Sequence, residues 1–331
     1  MRRALAVLLI GLGACAFLLT ILLPTVVVDR SKKTPLDLDI TQISSGPATV
    51  LDATTNQTKE VQLRATREVK SDTKASDDTN TTVFETLCIV IVDSPSTPNC
   101  VKAPDPRLLS VTTDRVTTDR RTAEAVHVAK YNEQINNKST FNGQPVRHVG
   151  MAYKWPIDAQ KKTYQFFQPD LNKAFPAVYS GTDRIKGLTV YKYVCATGPQ
   201  PFKLQGLFDG TYDDTRTVWV EPQTGAIIDG TERQVQKLAT GTVALETTLS
   251  FEQSAIDYQS NYAKDKIDAL RVAQLWAPLV TAVVAIVAFL GAFLLLRPRR
   301  AGGAGQRRGG TSGSAAPDDS ANRNDSPVPF T

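Results

Sequence analysis

Histidine is scarce in this chain, which has two among its 331 residues, His127 and His148. Neither lies at a known metal-ligand spacing from a second His, Cys or carboxylate. The G-x-S-x-G, P-loop and G-x-G-x-x-G motifs are also absent. The adjacent acids Asp213 and Asp214 would point to opposite faces of a strand, so they do not form a catalytic dyad. We therefore predict no catalytic, metal-binding or cofactor-binding residues, and we interpret both histidines as structural.

Charge is missing from two long segments, one near each end of the chain. Ala4–Val28 has no ionisable side chain except Cys15, and Leu275–Leu296 has none. A helix needs about 20 apolar residues to cross the hydrocarbon core of a membrane. The sequence therefore predicts two transmembrane helices, at residues 4–28 and 275–296.

Arginines near these segments predict the orientation. Arg2 and Arg3 precede the first segment, and Arg297, Arg299, Arg300, Arg307 and Arg308 follow the second. Because basic residues beside a span stay in the cytoplasm, we expect residues 1–3 and a disordered tail, 297–331, to be cytoplasmic. Residues 29–274 then form an extracytoplasmic domain of a two-pass plasma-membrane protein. That domain has thirty basic and thirty acidic residues, so the net charge of +5 comes from the ends and does not indicate nucleic-acid binding.

The first uncharged segment is interpreted as a signal anchor. A cleaved signal peptide has a shorter apolar core and an A-x-A-like site, whereas this segment continues to Val28 without one. Leu12-Gly13-Ala14-Cys15 is similar to a bacterial lipobox. Lipidation of Cys15 therefore stays open beside a plain membrane-embedded cysteine.

The central segment favours β-structure. Short runs rich in β-branched and aromatic residues, bounded by Ser, Pro, Asn and Gly, predict strands at Val61–Val69, Thr86–Val92, Leu188–Cys195 and Thr217–Glu221. Helical spacing of apolar residues predicts a helix over Phe251–Trp276, and a second helix is expected over Ala123–Asn136. We predict an α+β protein whose mainly antiparallel β domain, open or barrel-like, lies between the two transmembrane helices.

Three cysteines lie in the predicted exterior domain, where disulfides can form. Cys88 is in a predicted strand, and the Ser/Pro-rich turn after it can return Cys100 to its side. We predict a Cys88–Cys100 disulfide and an unpaired, buried Cys195.

Aromatic residues are concentrated in one region. Gly150–Trp219 contains thirteen of them, against three in residues 29–142, so we expect the densest core there. The same region contains Gly150, Trp155-Pro156, Lys162-Thr163-Tyr164, Gly187-Leu188 and Trp219-Val-Glu-Pro-Gln-Thr-Gly225. In these motifs the chain resembles an actinobacterial cell-envelope membrane protein family of unknown function that is named porin PorA. Its layout is also similar to that of class B scavenger receptors.

The resemblance implies a cell-envelope role connected with lipoglycans such as lipomannan. We predict a non-enzymatic protein whose exterior domain binds or guides a lipid or lipoglycan during envelope assembly. Candidate lipid-binding residues are Trp155, Tyr164, Phe166 and Phe167; the alternative, favoured for each one taken singly, is a core residue. Predicted partners are membrane lipids, lipoglycans and envelope-assembly membrane proteins. The alternatives are an accessory scaffold for a membrane glycosyltransferase or transporter and, least favoured, an unrecognised enzyme. Porin activity is rejected, because membrane β-pores cross the bilayer with closed barrels and not with apolar helices.

Overall fold

The computed structural model describes residues 1–52, 54–127 and 133–297, and one continuous helical rod lies at each end of the described part; all but the first residue of the predicted disordered tail, 297–331, lies outside it. The N-terminal rod consists of α1 (Arg2–Leu22), a π-helical segment (Leu23–Val27) and α2 (Val28–Ser31). The C-terminal rod consists of α3 (Gln253–Arg271), a π-helical segment (Val272–Trp276) and α4 (Ala277–Leu296). Pro24 lies within the first π segment and Pro278 lies two residues after the second. Each π segment accommodates a proline, which cannot donate a backbone hydrogen bond.

The two rods pack antiparallel along α1 and α4. Thr20 Oγ1 lies 2.9 Å from Thr281 Oγ1, and the ring of Phe289 covers Gly13, where a Cβ atom would be 2.9 Å from it. Small residues permit this close approach of two membrane helices. Most other side chains of α1 and α4 are large, apolar and exposed, and both rods are long and apolar enough to span a membrane.

The described residues between the rods form fourteen strands. They are β1 (Asp39–Asp52), β2 (Gln57–Ser71), β3 (Asn80–Val92), β4 (Leu108–Asp119), β5 (Gln134–Ile135), β6 (Thr140–Phe141), β7 (Gln144–Pro145), β8 (Tyr164–Gln168), β9 (Lys173–Ile185), β10 (Leu188–Ala196), β11 (Gln200–Leu204), β12 (Phe208–Glu221), β13 (Ala226–Leu238) and β14 (Val243–Phe251). A 3₁₀ turn, Pro169–Leu171, joins β8 to β9.

Twelve of these strands form one antiparallel sheet, curved into a half-barrel. Its order is β5-β4-β3-β2-β1-β14-β13-β12-β10-β9-β8, with β11 paired to β12, while β6 and β7 form a separate hairpin. The predicted fold class, a mainly antiparallel β domain between two apolar helices, is confirmed. All four predicted strands lie within β2, β3, β10 and β12.

Short bridges link the two ends of this sheet at one level. Thr118 of β4 pairs with Ala125, Glu124 pairs with Met151, and Met151 pairs with Phe166 of β8. Hydrogen bonding therefore continues from β4 to β8, and the half-barrel is closed into a ring at that level. The helix predicted over Ala123–Asn136 is wrong within the described residues, because 124–125 form these bridges and 134–135 form β5; residues 128–132 lie outside the description.

The two faces of the half-barrel differ. Helix α3 packs on the outer face, where Ala263 contacts a cluster that includes Val190 and Ile228. The predicted disulfide between Cys88 and Cys100 is confirmed and fastens the loop after β3 to the same face. Cys195 is unpaired and buried, as predicted. The inner face has most of the core.

A loop of residues 146–163, here called the capping segment, crosses the inner face at the end near the rods. Its backbone donates hydrogen bonds from Trp155 to Gly225, from Ile157 to Arg121 and from Ala159 to Pro222. Gly225 has a positive φ of 68°, and a Cβ atom there would lie 2.2 Å from the Trp155 carbonyl oxygen, so this contact requires glycine. A salt bridge of 2.8 Å between Lys32 and Asp158 ties the capping segment to the N-terminal rod.

Candidate functional site: a charged network on the inner face

The four candidate lipid-binding residues lie in packed core clusters. Trp155 stacks on Phe166 with ring centroids 5.1 Å apart, and both belong to a cluster between the capping segment and β8 to β12. Phe167 lies in a second cluster with Val69 and Val116, and Tyr164 packs half-buried against the first. Each of these aromatics has the surroundings of a core residue. The described surface has a groove of about 370 Å³, but it lies between β1 and α3, away from these clusters.

Beside the aromatic clusters, the inner face holds a network of charged side chains that sequence reasoning missed. Strand alternation places Arg216 of β12 and Glu232 of β13 opposite each other on this face, with 2.7 Å between Nη2 and Oε1. Arg67 of β2 lies 3.6 Å from Glu85 of β3. Burial alone would raise the pKa of Glu232, but Arg216 and Arg67 hold it below its usual value. Burial raises the pKa of Glu85 to about 7.

Tyr212 is the centre of a second part of the network. Its hydroxyl accepts hydrogen bonds from the amides of Gln168 and Gln234, each at 2.6 Å, and donates to Asp170 at 3.3 Å. Gln168 also donates to Asp214 Oδ2 at 3.0 Å, while Oδ1 of that buried carboxyl has no partner. Burial and the negative charge of neighbouring carboxylates raise the pKa of Asp214 well above its ordinary value.

His148, at the start of the capping segment, connects that segment to β4. The side chain is fully buried; Nε2 lies 2.9 Å from Asp114 Oδ1, and Nδ1 lies 2.9 Å from Glu133 Oε2. The Tyr153 hydroxyl donates a short hydrogen bond to Asp114. Burial lowers the pKa of His148, but its hydrogen bonds to the two carboxylates outweigh this and raise it to about 9. His148 is therefore an imidazolium at neutral pH, held between two acids.

This assignment of His148 predicts a pH-dependent contribution to stability. The folded pKa of about 9 exceeds the unfolded value of 6.5, so the stabilisation is complete below pH 6.5 and is lost as pH rises through 9. We expect His148→Gln to lower the free energy of unfolding by about 3 kcal/mol at pH 6. At pH 10 most of this electrostatic loss should be absent, because His148 is then neutral in the wild type as well. Burial lowers the pKa of Lys154 to about 7, so the contribution of Lys154 to stability increases as pH rises. The quantity to measure is therefore the difference in unfolding free energy between wild type and variant at each pH.

His127 provides the matched control for this measurement. It shares Glu133 with His148, at 2.6 Å from Nδ1 to Oε1, but its side chain is about one-third exposed (35%). His127→Gln should change stability by no more than about 0.5 kcal/mol at either pH. If the difference in unfolding free energy between wild type and His148→Gln is the same at both pH values, His148 is not charged in the folded protein.

The network has the features of a structural core. Among residues 1–52, 54–127 and 133–297, no group of three or more His, Cys, Asp or Glu is arranged to hold a metal ion. Burial raises the pKa of Cys195 to about 11, so this thiol is not a nucleophile at neutral pH. Arg67 pairs with Glu85, Arg216 with Glu232, and His148 with Asp114 and Glu133. These pairs fix the positions of β2, β4, β12 and the capping segment.

Comparison with known proteins gives the family. The family model described as porin PorA matches residues 5–294, which include the half-barrel and nearly all of both rods. The chain belongs to the porin PorA family. A porin PorA of Corynebacterium amycolatum is 24% identical over 376 aligned residues, covering 87% of this chain and 97% of that protein. A porin PorA of Corynebacterium resistens is 26% identical over 234 residues, covering 60% of this chain and 54% of the relative.

Family membership corrects the sequence-based prediction of function. The resemblance to the porin PorA family is confirmed, but the rejection of porin activity is wrong, because it conflicts with the family and with the names of both relatives. Two apolar helices do not exclude a pore, because helices can also line one. The prediction of lipid or lipoglycan binding has no support. Trp155, Phe166 and Phe167 are buried in core clusters, and Tyr164 packs half-buried against one of them.

Proposed function

We propose that the chain is a subunit of a pore whose wall is formed by the membrane helices of several copies. The observation that carries this proposal is the match to porin PorA across both apolar rods. The rods leave no path between α1 and α4, because Phe289 fills the space beside Gly13. A water-filled path would therefore require helices from more than one copy, arranged around an axis of symmetry.

The half-barrel is proposed to stand outside the bilayer. Its outer face carries charged pairs such as Arg233 with Glu246, 2.7 Å apart and about half exposed. Charged side chains that face lipid inside the bilayer destabilise a membrane protein. We therefore expect this outer face to be in contact with water. The antiparallel rods bring Arg2, Arg3 and Arg297 to one end, which supports cytoplasmic termini and an extracytoplasmic half-barrel in a two-pass plasma-membrane protein.

The experiment is conductance across a planar bilayer after addition of the purified full-length chain. We expect discrete current steps that are absent without protein. Gly13→Leu should reduce the number of steps roughly tenfold, because overpacking the contact with Phe289 costs about 1–3 kcal/mol. Gly11→Leu is the matched control, since nothing lies within 4 Å of a Cβ atom at that position.

Absence of steps with the wild-type chain, at protein levels that insert into the bilayer, would refute the pore. Equal effects of the two glycine variants would refute the role of the α1 and α4 contact. The absence of enzymatic activity and a partnership with envelope-assembly membrane proteins stay predictions.

A further inference from the structure

The most exposed large apolar side chains between the two rods lie side by side on one turn. Among the described residues of that region, Leu207 is 73% and Phe208 57% exposed, above every other large apolar side chain. They lie on the turn between β11 and β12, residues 203–209, here called the apolar tip. An isolated exposed apolar residue is ordinary, but two adjacent ones on a projecting turn indicate a contact surface.

The apolar tip lies at the end of the half-barrel opposite the rods. β14 ends at Phe251 beside the start of α3, and its distal residue Val243 pairs with Lys237 of β13. Leu238 of β13 in turn pairs with Gly210 of β12, two residues from Phe208. Glu221 is at the other end of β12, and at about 3.3 Å per residue the tip lies about 40 Å from it. The two neighbouring turns at that end, 52–57 and 239–242, carry no large apolar residue.

The apolar tip is a hydrogen-bonded turn that is uncharged at its apex. Gln205 and Gly206 both have positive φ, and the Leu207 backbone N–H donates to Leu204 O at 3.0 Å, which defines a tight turn. Lys203 and Asp209 on either side pair with each other at 2.7 Å. At the base of the hairpin, Phe202 packs on Tyr212 with ring centroids 5.4 Å apart. A turn that is already held by its own hydrogen bond loses little conformational entropy when it binds or inserts elsewhere.

We propose that the apolar tip inserts into the surface of a lipid layer on the far side of the half-barrel from the membrane helices. Two side chains are too small a patch for a stable protein interface, which buries about 1,200 Å² or more. Insertion of one aromatic and one aliphatic residue into a lipid surface needs no complementary partner. The chain would then contact two lipid layers, one through its rods and one through Leu207 and Phe208.

The test uses tryptophan at the tip and a quencher confined to a second set of vesicles. Full-length Leu207→Trp is reconstituted in phosphatidylcholine vesicles, and protein-free vesicles of brominated phosphatidylcholine are added. We expect a loss of tryptophan emission relative to unbrominated acceptor vesicles. Val178→Trp is the control, because Val178 is 48% exposed on β9 and lies away from the tip. Equal quenching of both variants, or none at position 207, would overturn the proposal.

Vesicle tethering gives a second readout. Proteoliposomes of the wild-type chain should bind protein-free phosphatidylcholine vesicles, Leu207→Asp/Phe208→Asp should lose this binding, and Val178→Asp should keep it. Tethering that requires protein on both sets of vesicles would indicate contact between copies and would overturn lipid insertion. The double variant should keep wild-type conductance in planar bilayers, so failure of the pore proposal and failure of the tip proposal are distinguishable.

Discussion

Arg216→Met is expected to lower the free energy of unfolding by about 3–5 kcal/mol. Arg216 is 13% exposed and forms the 2.7 Å ion pair with Glu232, while Asp170 and Asp214 lie close enough to feel its charge. Its loss would leave buried carboxylates without a counter-charge. The measurement is denaturant or thermal unfolding of the purified chain in detergent at pH 7.

The adjacent outer face offers a matched control for this ion pair. Arg233 of β13 pairs with Glu246 of β14 at the same distance, 2.7 Å, but both side chains are about half exposed. Arg233→Met should cost no more than about 1 kcal/mol. Arg216→Met combined with Glu232→Leu should recover much of the loss, since an apolar pair replaces a buried ionic one. Equal costs for the two single variants would contradict a buried network.

Trp155→Ala is expected to cost about 3–5 kcal/mol of unfolding free energy. The indole is 1% exposed and packs between Phe166 and Tyr193, at centroid distances of 5.1 and 5.3 Å. Its removal would leave a cavity where the capping segment meets the inner face. Thermal unfolding monitored by circular dichroism would measure the loss.

Trp276→Ala tests whether that loss is specific to burial. Trp276 is 58% exposed in the π segment of the C-terminal rod, so its truncation should leave the unfolding of the half-barrel within about 0.5 kcal/mol of wild type. A Trp155→Ala variant as stable as Trp276→Ala would mean that the capping segment does not contribute to the core.

Local patterns predicted part of the fold. β-branched and aromatic residues in Leu188–Cys195 predicted a strand, and β10 runs from Leu188 to Ala196. The Ser/Pro-rich turn after Cys88 predicted the disulfide with Cys100. The helix expected over Ala123–Asn136 is wrong within the described residues because Glu124 pairs with Met151, and this tertiary pairing outweighs local preference.

The charged network could not be predicted in the same way. Asp114, Glu133 and His148 come from β4, from the residue before β5 and from the capping segment, and their proximity depends on which strands are neighbours. One local signal was available in β12. Tyr212, Asp214 and Arg216 alternate into the same face as the apolar residue Val218, so polar groups continue a buried stripe.

Pairing of β1 with β14 has a consequence for how the protein is made. Ser44 lies opposite Phe251, so the sheet joins the first strand of the chain described here to the last. During synthesis, β1 and β2 emerge long before β14, and the free edge of β1 stays without its partner until residue 251 has been made. An exposed strand edge invites pairing with other chains. Biogenesis of this protein therefore has a long interval of aggregation risk, which ends as the C-terminal membrane helix follows β14 out of the ribosome.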